Sequence, residues 1–201
     1  MPGPLVHLAS ASPRRRELLA QIGVRVAIVA VPIDESRQVA EPPSDYVRRL
    51  AREKVAAARR AVGLPPLAVV LAADTAVVCD AAILGKPGDE AAAVQMLARL
   101  SGVTHDVLTA VAVSSAAGES VTVSASRVSF RPISTAEAHR YWATGEPADK
   151  AGGYAIQGLG ALFVRSLEGS YSGVMGLPLY ETGQLLAEHG IACGTQTEAG
   201  T

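Results

Sequence analysis

The sequence predicts an α/β fold with a mixed β-sheet and two lobes around a cleft. Three observations favour it. Short strands and helices alternate in the first part of the chain, long strands follow in the middle, and 49% of the 201 residues are apolar. A chain of this length and composition buries most of its apolar surface, which excludes a disordered or low-complexity protein.

The first elements are short. Leu5–Ala9 is an apolar run that predicts a strand. Ser12 is a suitable N-cap residue and Pro13 a suitable first residue of a helix, which we expect to run to about Gln21. Gly23 favours a helix end there, and residues 24–31 then predict a second strand.

A polar loop over residues 32–43 precedes a longer helix, predicted over residues 45–61 with Ser44 as its N-cap. Lys54 belongs to a helical stripe whose other members are Val47, Ala51 and Ala58. Two interpretations stay open: the Lys54 ammonium reaches solvent at the edge of the core, or it points into a cleft.

The apolar run at residues 67–73 is typical of a strand covered on both faces, and we expect it to end at Asp74 and Thr75. A second short strand is then predicted over residues 76–79, before a turn at Asp80. A carboxylate at a buried strand end requires a partner or a metal, although Asp74 could also cap the next turn.

The second half of the chain alternates less regularly. Residues 88–100 have helical periodicity, and residues 107–113 and 120–130 predict two long strands joined by a turn at Ala117-Gly118. Ser134 and Glu137 form the pattern of a capping box at the start of a helix. The remaining predicted elements are a Gly-rich loop at 145–160, a strand at 162–167 and a helix at 178–189.

Three segments carry groups suited to an anion. Ser10 to Arg16 places hydroxyl and guanidinium groups where a strand turns into a helix. Lys86 lies in the turn Gly-Lys-Pro-Gly, which lacks the spacing of a phosphate-binding P-loop. Residues 149–158 form a polar Gly loop that a ligand can approach closely. The alternatives are a capped helix with solvated arginines and ordinary loops.

Charge and cysteine content exclude several classes. The net charge of −1 offers no basic field for nucleic acid. Cys79 and Cys193 lack the spacing of a disulfide framework or a zinc site, so we expect two reduced thiols. No signal peptide or membrane span is evident, and we expect a cytoplasmic protein with no membrane partner. The three lysines are Lys54, Lys86 and Lys150, against 15 arginines among 18 basic residues.

Several segments, in order over about residues 4–190, together resemble the Maf family of nucleotide pyrophosphatases. They are Leu8–Arg15 with Glu17–Leu19, Ala73–Thr75, Leu84–Pro87, Leu100–Gly102, Asp149–Gly152 with Ile156–Gly158, and Gly176–Leu179. The resemblance implies an elongated mixed β-sheet flanked by helices with a central cleft, similar to inosine triphosphate pyrophosphatases. Residues 1–201 would form a single domain with two lobes and a frayed tail at 192–201.

The resemblance also implies an activity, which is hydrolysis of a nucleoside triphosphate to the monophosphate and pyrophosphate. A divalent metal cation, Mg²⁺ or Mn²⁺, is expected as cofactor and a homodimer as the assembly. The family is linked to cleansing of the nucleotide pool, to septum formation and to arrest of cell division. Arg14, Thr75 and Gln157 match the subgroup that prefers dTTP and UTP, whereas the subgroup acting on 7-methyl-GTP has Trp, Gln and Glu at these positions.

The implied roles can be assigned residue by residue. Asp74 would be the general base and a metal ligand, and Glu35 would share the metal. The substrate-binding residues would be Ser10, Arg15, Lys54 and Lys86 for the polyphosphate, and Arg14, Thr75 and Gln157 for the base. Two alternatives are a nucleotide-binding regulator of septum formation and a 7-methyl-GTP pyrophosphatase.

Overall fold

The computed structural model describes residues 3–29, 31–61 and 63–194. Within them lie seven strands, namely β1 (Leu5–Leu8), β2 (Arg25–Ile28), β3 (Val70–Cys79), β4 (Ala82–Leu84), β5 (Thr104–Ser115), β6 (Gly118–Phe130) and β7 (Val164–Glu168). The helices are α1 (Pro13–Gln21), α2 (Pro43–Arg59), α3 (Glu90–Leu100), α4 (Thr135–Trp142), α5 (Tyr171–Met175) and α6 (Leu179–Glu188). Short 3₁₀ turns occupy Ala151–Gly153 and Leu159–Phe163.

The strands form one mixed sheet in the order β2-β1-β3-β5-β6-β7, and β4 pairs with β3 outside this path. Strand β1 runs parallel to both β2 and β3, whereas β4 is antiparallel to β3 and β7 is antiparallel to β6. The parallel part follows from the early alternation of strands and helices, because parallel neighbours require a crossover connection. The predicted mixed α/β sheet is confirmed.

Strand β3 differs from its prediction. The break expected at Asp74 and Thr75 is wrong, because one strand continues from Val70 to Cys79. Asp74 does not end the strand because its charge is paired, as described below. The start was also predicted too early, since Leu67 is 79% exposed and the strand begins only at Val70.

Helix starts were predicted correctly where a specific residue pair marks them. Pro13 begins α1, and Ser134 and Glu137 form both hydrogen bonds of a capping box at α4. Ser44 as an N-cap is wrong, because α2 begins at Pro43 with Pro42 in the cap position. A proline at the first helical position has its φ fixed at a helical value and needs no hydrogen-bond acceptor, so this helix begins two residues earlier than predicted.

The chain divides into two compact units. The first comprises the chain up to Asp74, Ala110–Val123 and the chain from Gly176 onward, and its fully buried side chains include Leu8, Leu50 and Leu186. The second comprises Thr75–Thr109 and Ser124–Met175. Two lobes around a cleft stay a prediction, and the predicted tail lies outside the described residues from position 195 on.

The core of the second unit contains a buried histidine. His105 is 2% exposed, and its Nε2 lies 2.8 Å from the Tyr154 hydroxyl, with the Phe130 ring packed edge-on against the imidazole. Burial lowers the pKa of His105 to about 4, from its ordinary 6.5. The folded protein therefore holds this imidazole neutral at a pH where the unfolded chain protonates it.

We expect this histidine to weaken the protein in acid. Between pH 6.5 and 4 the unfolded state binds a proton at this histidine that the folded state does not. The free energy of unfolding therefore decreases as the pH is lowered through this range, by roughly 3 kcal/mol in total. Urea unfolding across this pH range measures the effect, and His105→Gln should show a flatter dependence than the wild type. The exposed His139→Gln is the control. An unchanged slope in His105→Gln would contradict the assignment.

Candidate active site

Lys54 lies between two carboxylates in the first unit. Its Nζ is 2.7 Å from Glu35 Oε1 and 2.7 Å from Asp74 Oδ1. The side chains of Lys54 and Asp74 are 14% and 11% exposed, whereas Glu35 is 53% exposed. Helix α2 supplies the lysine, β3 supplies Asp74 and the loop before α2 supplies Glu35. Both acidic oxygens contact one nitrogen, so they lie no more than twice 2.7 Å apart.

The surroundings of Asp74 raise its affinity for a proton. Burial raises the pKa of its carboxyl, and the nearby Glu35 charge raises it further, while Lys54 and Arg15 act in the opposite direction. The net shift is upward. A carboxylate with a raised pKa is a better proton acceptor than an exposed one, which suits a general base.

Helix α2 holds the loop that carries Glu35. The Tyr46 hydroxyl donates to the Glu35 carbonyl at 3.0 Å, and Arg49 Nη2 donates to the Ser36 carbonyl at 3.0 Å. Arg49 also forms two hydrogen bonds to the carboxylate of Glu41, at 2.6 and 2.9 Å. The Arg49 hydrogen bonds hold the pKa of Glu41 at about 2. Sequence reasoning missed these contacts, because nothing in the spacing of Tyr46 and Arg49 indicates which loop they meet.

We expect Arg49→Met to loosen the loop. Glu41 Oε2 accepts from the Gln38 amide at 3.1 Å, and the Glu41 amide donates to the Gln38 carbonyl at 3.2 Å, so both amides depend on this anchored turn. The hydrogen bonds between the charged groups of Arg49 and Glu41 hold the turn, so their loss predicts amide exchange about tenfold faster or more at Gln38 and Glu41. Hydrogen exchange read by mass spectrometry measures this. The exposed neighbour Arg48→Met is the matched control, and equal exchange in both variants would contradict the anchoring role.

The start of α1 places polar groups in the same unit. Arg15 Nε donates to the Gly176 carbonyl at 2.8 Å and Arg15 Nη1 donates to Ser10 Oγ at 3.2 Å. Ser10 Oγ also accepts from the Ser12 amide at 3.2 Å. Burial lowers the pKa of Arg15, and the charge of Asp74 opposes that shift.

The interpretation as a capped helix with solvated arginines holds only in part, since Ser12 occupies the N-cap position and Arg16 is exposed. Ser12 makes no side-chain capping bond. Arg15 is hydrogen-bonded through its guanidinium, and Arg14 is partly buried, whereas Arg16 is exposed. Amide groups at a helix N-terminus together with arginines suit a bound phosphate.

The other predicted site residues lie in the second unit. Thr75 follows Asp74 in β3, and its hydroxyl lies 2.9 Å from the hydroxyl of Thr109 in β5. Lys86, after β4, and Gln157, before the second 3₁₀ turn, are both exposed. Lys150 pairs with its neighbour Asp149.

Glu146 is a residue of the second unit that sequence reasoning missed. Its carboxylate accepts from the Tyr141 hydroxyl at 2.6 Å and from the amides of Leu159 and Gly160 at 2.9 and 3.0 Å. Burial acts to raise the pKa of Glu146, but these hydrogen bonds outweigh it and leave the pKa lowered. Glu146 thereby fixes the turn directly after Gln157.

The carboxylates fit a hard divalent cation. Among the residues that the structure describes, no group of three or more His, Cys, Asp or Glu side chains is placed to hold a metal ion. Glu35 and Asp74 form a pair, which matches the way Mg²⁺ uses one or two carboxylates and takes its other ligands from water and phosphate. Oxygen donors without imidazole or thiolate fit Mg²⁺ or Mn²⁺ rather than zinc.

None of the described helices has the length and apolar character needed to cross a bilayer.

A distant structural likeness exists to a chain described as "The structure of the Staphylococcus aureus Ham1 protein". It has a TM-score of 0.43 and 13% identity, covering 63% of this chain and 71% of that one. A likeness at this level supports no inference about the site.

Comparison with protein families and curated proteins gives closer matches. The family model described as Maf-like protein matches residues 5–189. A protein of Saccharophagus degradans named dTTP/UTP pyrophosphatase is 57% identical over 90% of this chain and 87% of its own length. Proteins of the same name from Hahella chejuensis and Alkalilimnicola ehrlichii are 54% and 53% identical, over 92% of this chain and 92% and 93% of theirs. With the family model spanning nearly the whole chain, the chain belongs to the Maf family.

Proposed function

We propose that the protein is a nucleoside triphosphate pyrophosphatase that hydrolyses dTTP and UTP to the nucleoside monophosphate and pyrophosphate. The observation that carries the proposal is the contact of Lys54 with both Glu35 and Asp74, in the unit that also holds Arg15 and Ser10. The names of relatives at 53–57% identity support the same activity and the same two substrates.

In the proposed mechanism Asp74 takes a proton from the attacking water. Its buried carboxylate has a raised pKa and is held by the 2.7 Å bond from Lys54, so both its basicity and its position favour this role. Ser10, Arg15, Lys54 and Lys86 bind the polyphosphate. Phosphoryl transfer requires mainly positioning and charge stabilisation, which these hydroxyl and cationic groups supply.

Glu35 and Asp74 would also hold a divalent metal cation, Mg²⁺ or Mn²⁺. When bound, the cation supplies charge neutralisation at the scissile phosphate and orientation of water. Tyr46 and Arg49 keep Glu35 available for this role by fixing its loop. Glu35 is the more exposed of the two acids, so it can turn toward a ligand without unfolding the sheet.

The pyrimidine base would be recognised by Arg14, Thr75 and Gln157. Modified pyrimidine nucleotides belong to the same substrate class.

We place the protein in the cytoplasm, where nucleoside triphosphates are found, as a homodimer that removes unwanted nucleotides from the pool. A link to arrest of cell division follows from the family resemblance. The net charge of −1 agrees with a nucleotide rather than a nucleic acid as partner.

A panel of nucleoside triphosphates tests the proposal. With Mg²⁺ and pyrophosphate detection, dTTP and UTP should give the highest kcat/KM, above GTP and 7-methyl-GTP. Gln157→Glu should lose pyrimidine activity. Tight binding of UTP without turnover would favour a regulator, and a preference for 7-methyl-GTP unaffected by Gln157→Glu would favour the other subgroup. Either result would overturn the proposal.

A further inference from the structure

Lys54 acts as a counter-cation to the same two acids that would hold the metal. Its Nζ contacts Glu35 Oε1 and Asp74 Oδ1 at 2.7 Å each, so a single ammonium group bridges both carboxylates. The side chains of Lys54 and Asp74 are 14% and 11% exposed, so solvent ions screen their interaction only weakly. A cation that binds both acids must therefore compete with a charge that the protein itself supplies.

The protein balances the charges of this cluster by itself. The charges of Lys54 and Arg15 both act on Asp74. Arg15 is in turn influenced by the charges of Asp74 and Glu35, and Arg14 adds a further positive charge beside it. A divalent cation alone would therefore create an excess of positive charge in a poorly screened place, which is unfavourable. The negative charge of a polyphosphate would remove that excess.

The side chains of the cluster can exchange partners without disturbing the fold. Lysine has a flexible stem, so its ammonium can leave the two carboxylates while the backbone of α2 stays in place. Glu35 belongs to the loop before α2 and is 53% exposed. The proposed function assigns Lys54 to the polyphosphate, and Ser10 and Arg15, which share that assignment, lie in the same unit. An ammonium that moves to a phosphate leaves both carboxylates to a metal.

We propose that Lys54 is a built-in competitor of the metal, which keeps the affinity for a divalent cation low until a polyphosphate is present to take the ammonium. The metal and the nucleotide then bind cooperatively, because each binds more easily once Lys54 has moved from the acids to the phosphates. By linkage the effect is reciprocal, so the metal also raises the affinity for the nucleotide. This proposal rests on the proposed function and on the assignment of Glu35 and Asp74 to the metal.

Direct binding of Mn²⁺ in the absence of nucleotide, measured by electron paramagnetic resonance, tests the competition. Lys54→Met removes the ammonium, and its affinity for Mn²⁺ should be about tenfold higher or more than that of the wild type. Lys54→Gln should show the same gain, and it keeps an N–H donor for the carboxylates in case the methionine variant does not fold.

Arg52→Met is the matched control for both variants. It removes one positive charge from the same helix, at a residue that is half exposed and pairs with Glu119. Because an exposed charge is screened, its affinity for Mn²⁺ should stay within about twofold of the wild type. A folded Lys54→Gln protein that binds Mn²⁺ no more tightly than Arg52→Met would overturn the proposal.

The cooperativity is measured with α,β-methylene-UTP, which cannot be cleaved between its α and β phosphates. Its affinity for the wild type should be about tenfold higher or more with Mn²⁺ than with a chelator, and the factor should be smaller in Lys54→Gln. Equal factors in the two proteins would overturn the proposal. The two proposals fail separately: absence of pyrophosphate release from UTP refutes the proposed function, whereas turnover of UTP with no gain in Mn²⁺ affinity in the Lys54 variants refutes only the competition.

Discussion

Asp74→Asn is expected to reduce turnover of UTP and dTTP by a factor of about a thousand or more while leaving the protein folded. The amide has the shape of the carboxylate and can still accept the bond from Lys54, but it cannot take a proton from water. It also removes one of the two carboxylates assigned to the metal. Burial raises the pKa of Asp74 because it disfavours the charged carboxylate. A neutral amide avoids this cost, so the asparagine side chain should be tolerated in β3.

Asp80→Asn is the matched control for this variant. Asp80 is an exposed acid at the turn after β3 with a φ of 49°, a conformation that asparagine adopts readily. Pyrophosphate release and circular dichroism should show full activity and fold in Asp80→Asn, and fold without activity in Asp74→Asn. Wild-type turnover in a folded Asp74→Asn protein would refute the assignment of the base.

The second large effect is expected at Lys54. Lys54→Arg keeps the charge, but a planar guanidinium cannot replace a compact ammonium that contacts two carboxylates at 2.7 Å each. A misplacement of about 1 Å at such a centre reduces turnover about a hundredfold, and we expect a loss of that size. Steady-state kinetics with UTP measure it.

Arg52→Lys is the control on the same helix, since Arg52 is half exposed and pairs with Glu119. It should be fully active. Lys54→Met adds a second readout: without the ammonium the pKa of Asp74 should rise, because Lys54 lowers it in the wild type. The acidic limb of the kcat/KM profile should then move to higher pH. Equal activity of Lys54→Arg and Arg52→Lys would contradict the central position of Lys54.

The sequence is most informative where a local pattern alone determines the outcome. The stripe containing Val47, Ala51 and Ala58 correctly predicts that Lys54 lies beside the buried face of α2, but not which carboxylates it meets. The ion pair with Lys54 also accounts for the position of Asp74 within a continuous strand. The strand break wrongly predicted at Asp74 and the undecided direction of the Lys54 side chain therefore have the same cause, which is this ion pair. Patterns within a segment cannot predict an ion pair between a helix and a strand.

The supporting contacts were beyond sequence reasoning for a related reason. Arg49 contacts a loop with no regular structure, and its partners are a carbonyl and a carboxylate whose positions depend on the loop conformation. Thr109 lies within strand β5, and its hydroxyl donates to the carbonyl of Gly173, a residue 64 positions away in the chain. Backbone acceptors contributed by distant segments leave no signal in residue type or spacing.

The measurement that tests the central claim most directly is identification of the products formed from UTP and Mg²⁺ by ³¹P NMR. The account predicts UMP and pyrophosphate in equal amounts, at a rate that Asp74→Asn lowers about a thousandfold. Formation of UDP and orthophosphate, or bound UTP that is never hydrolysed, would contradict it.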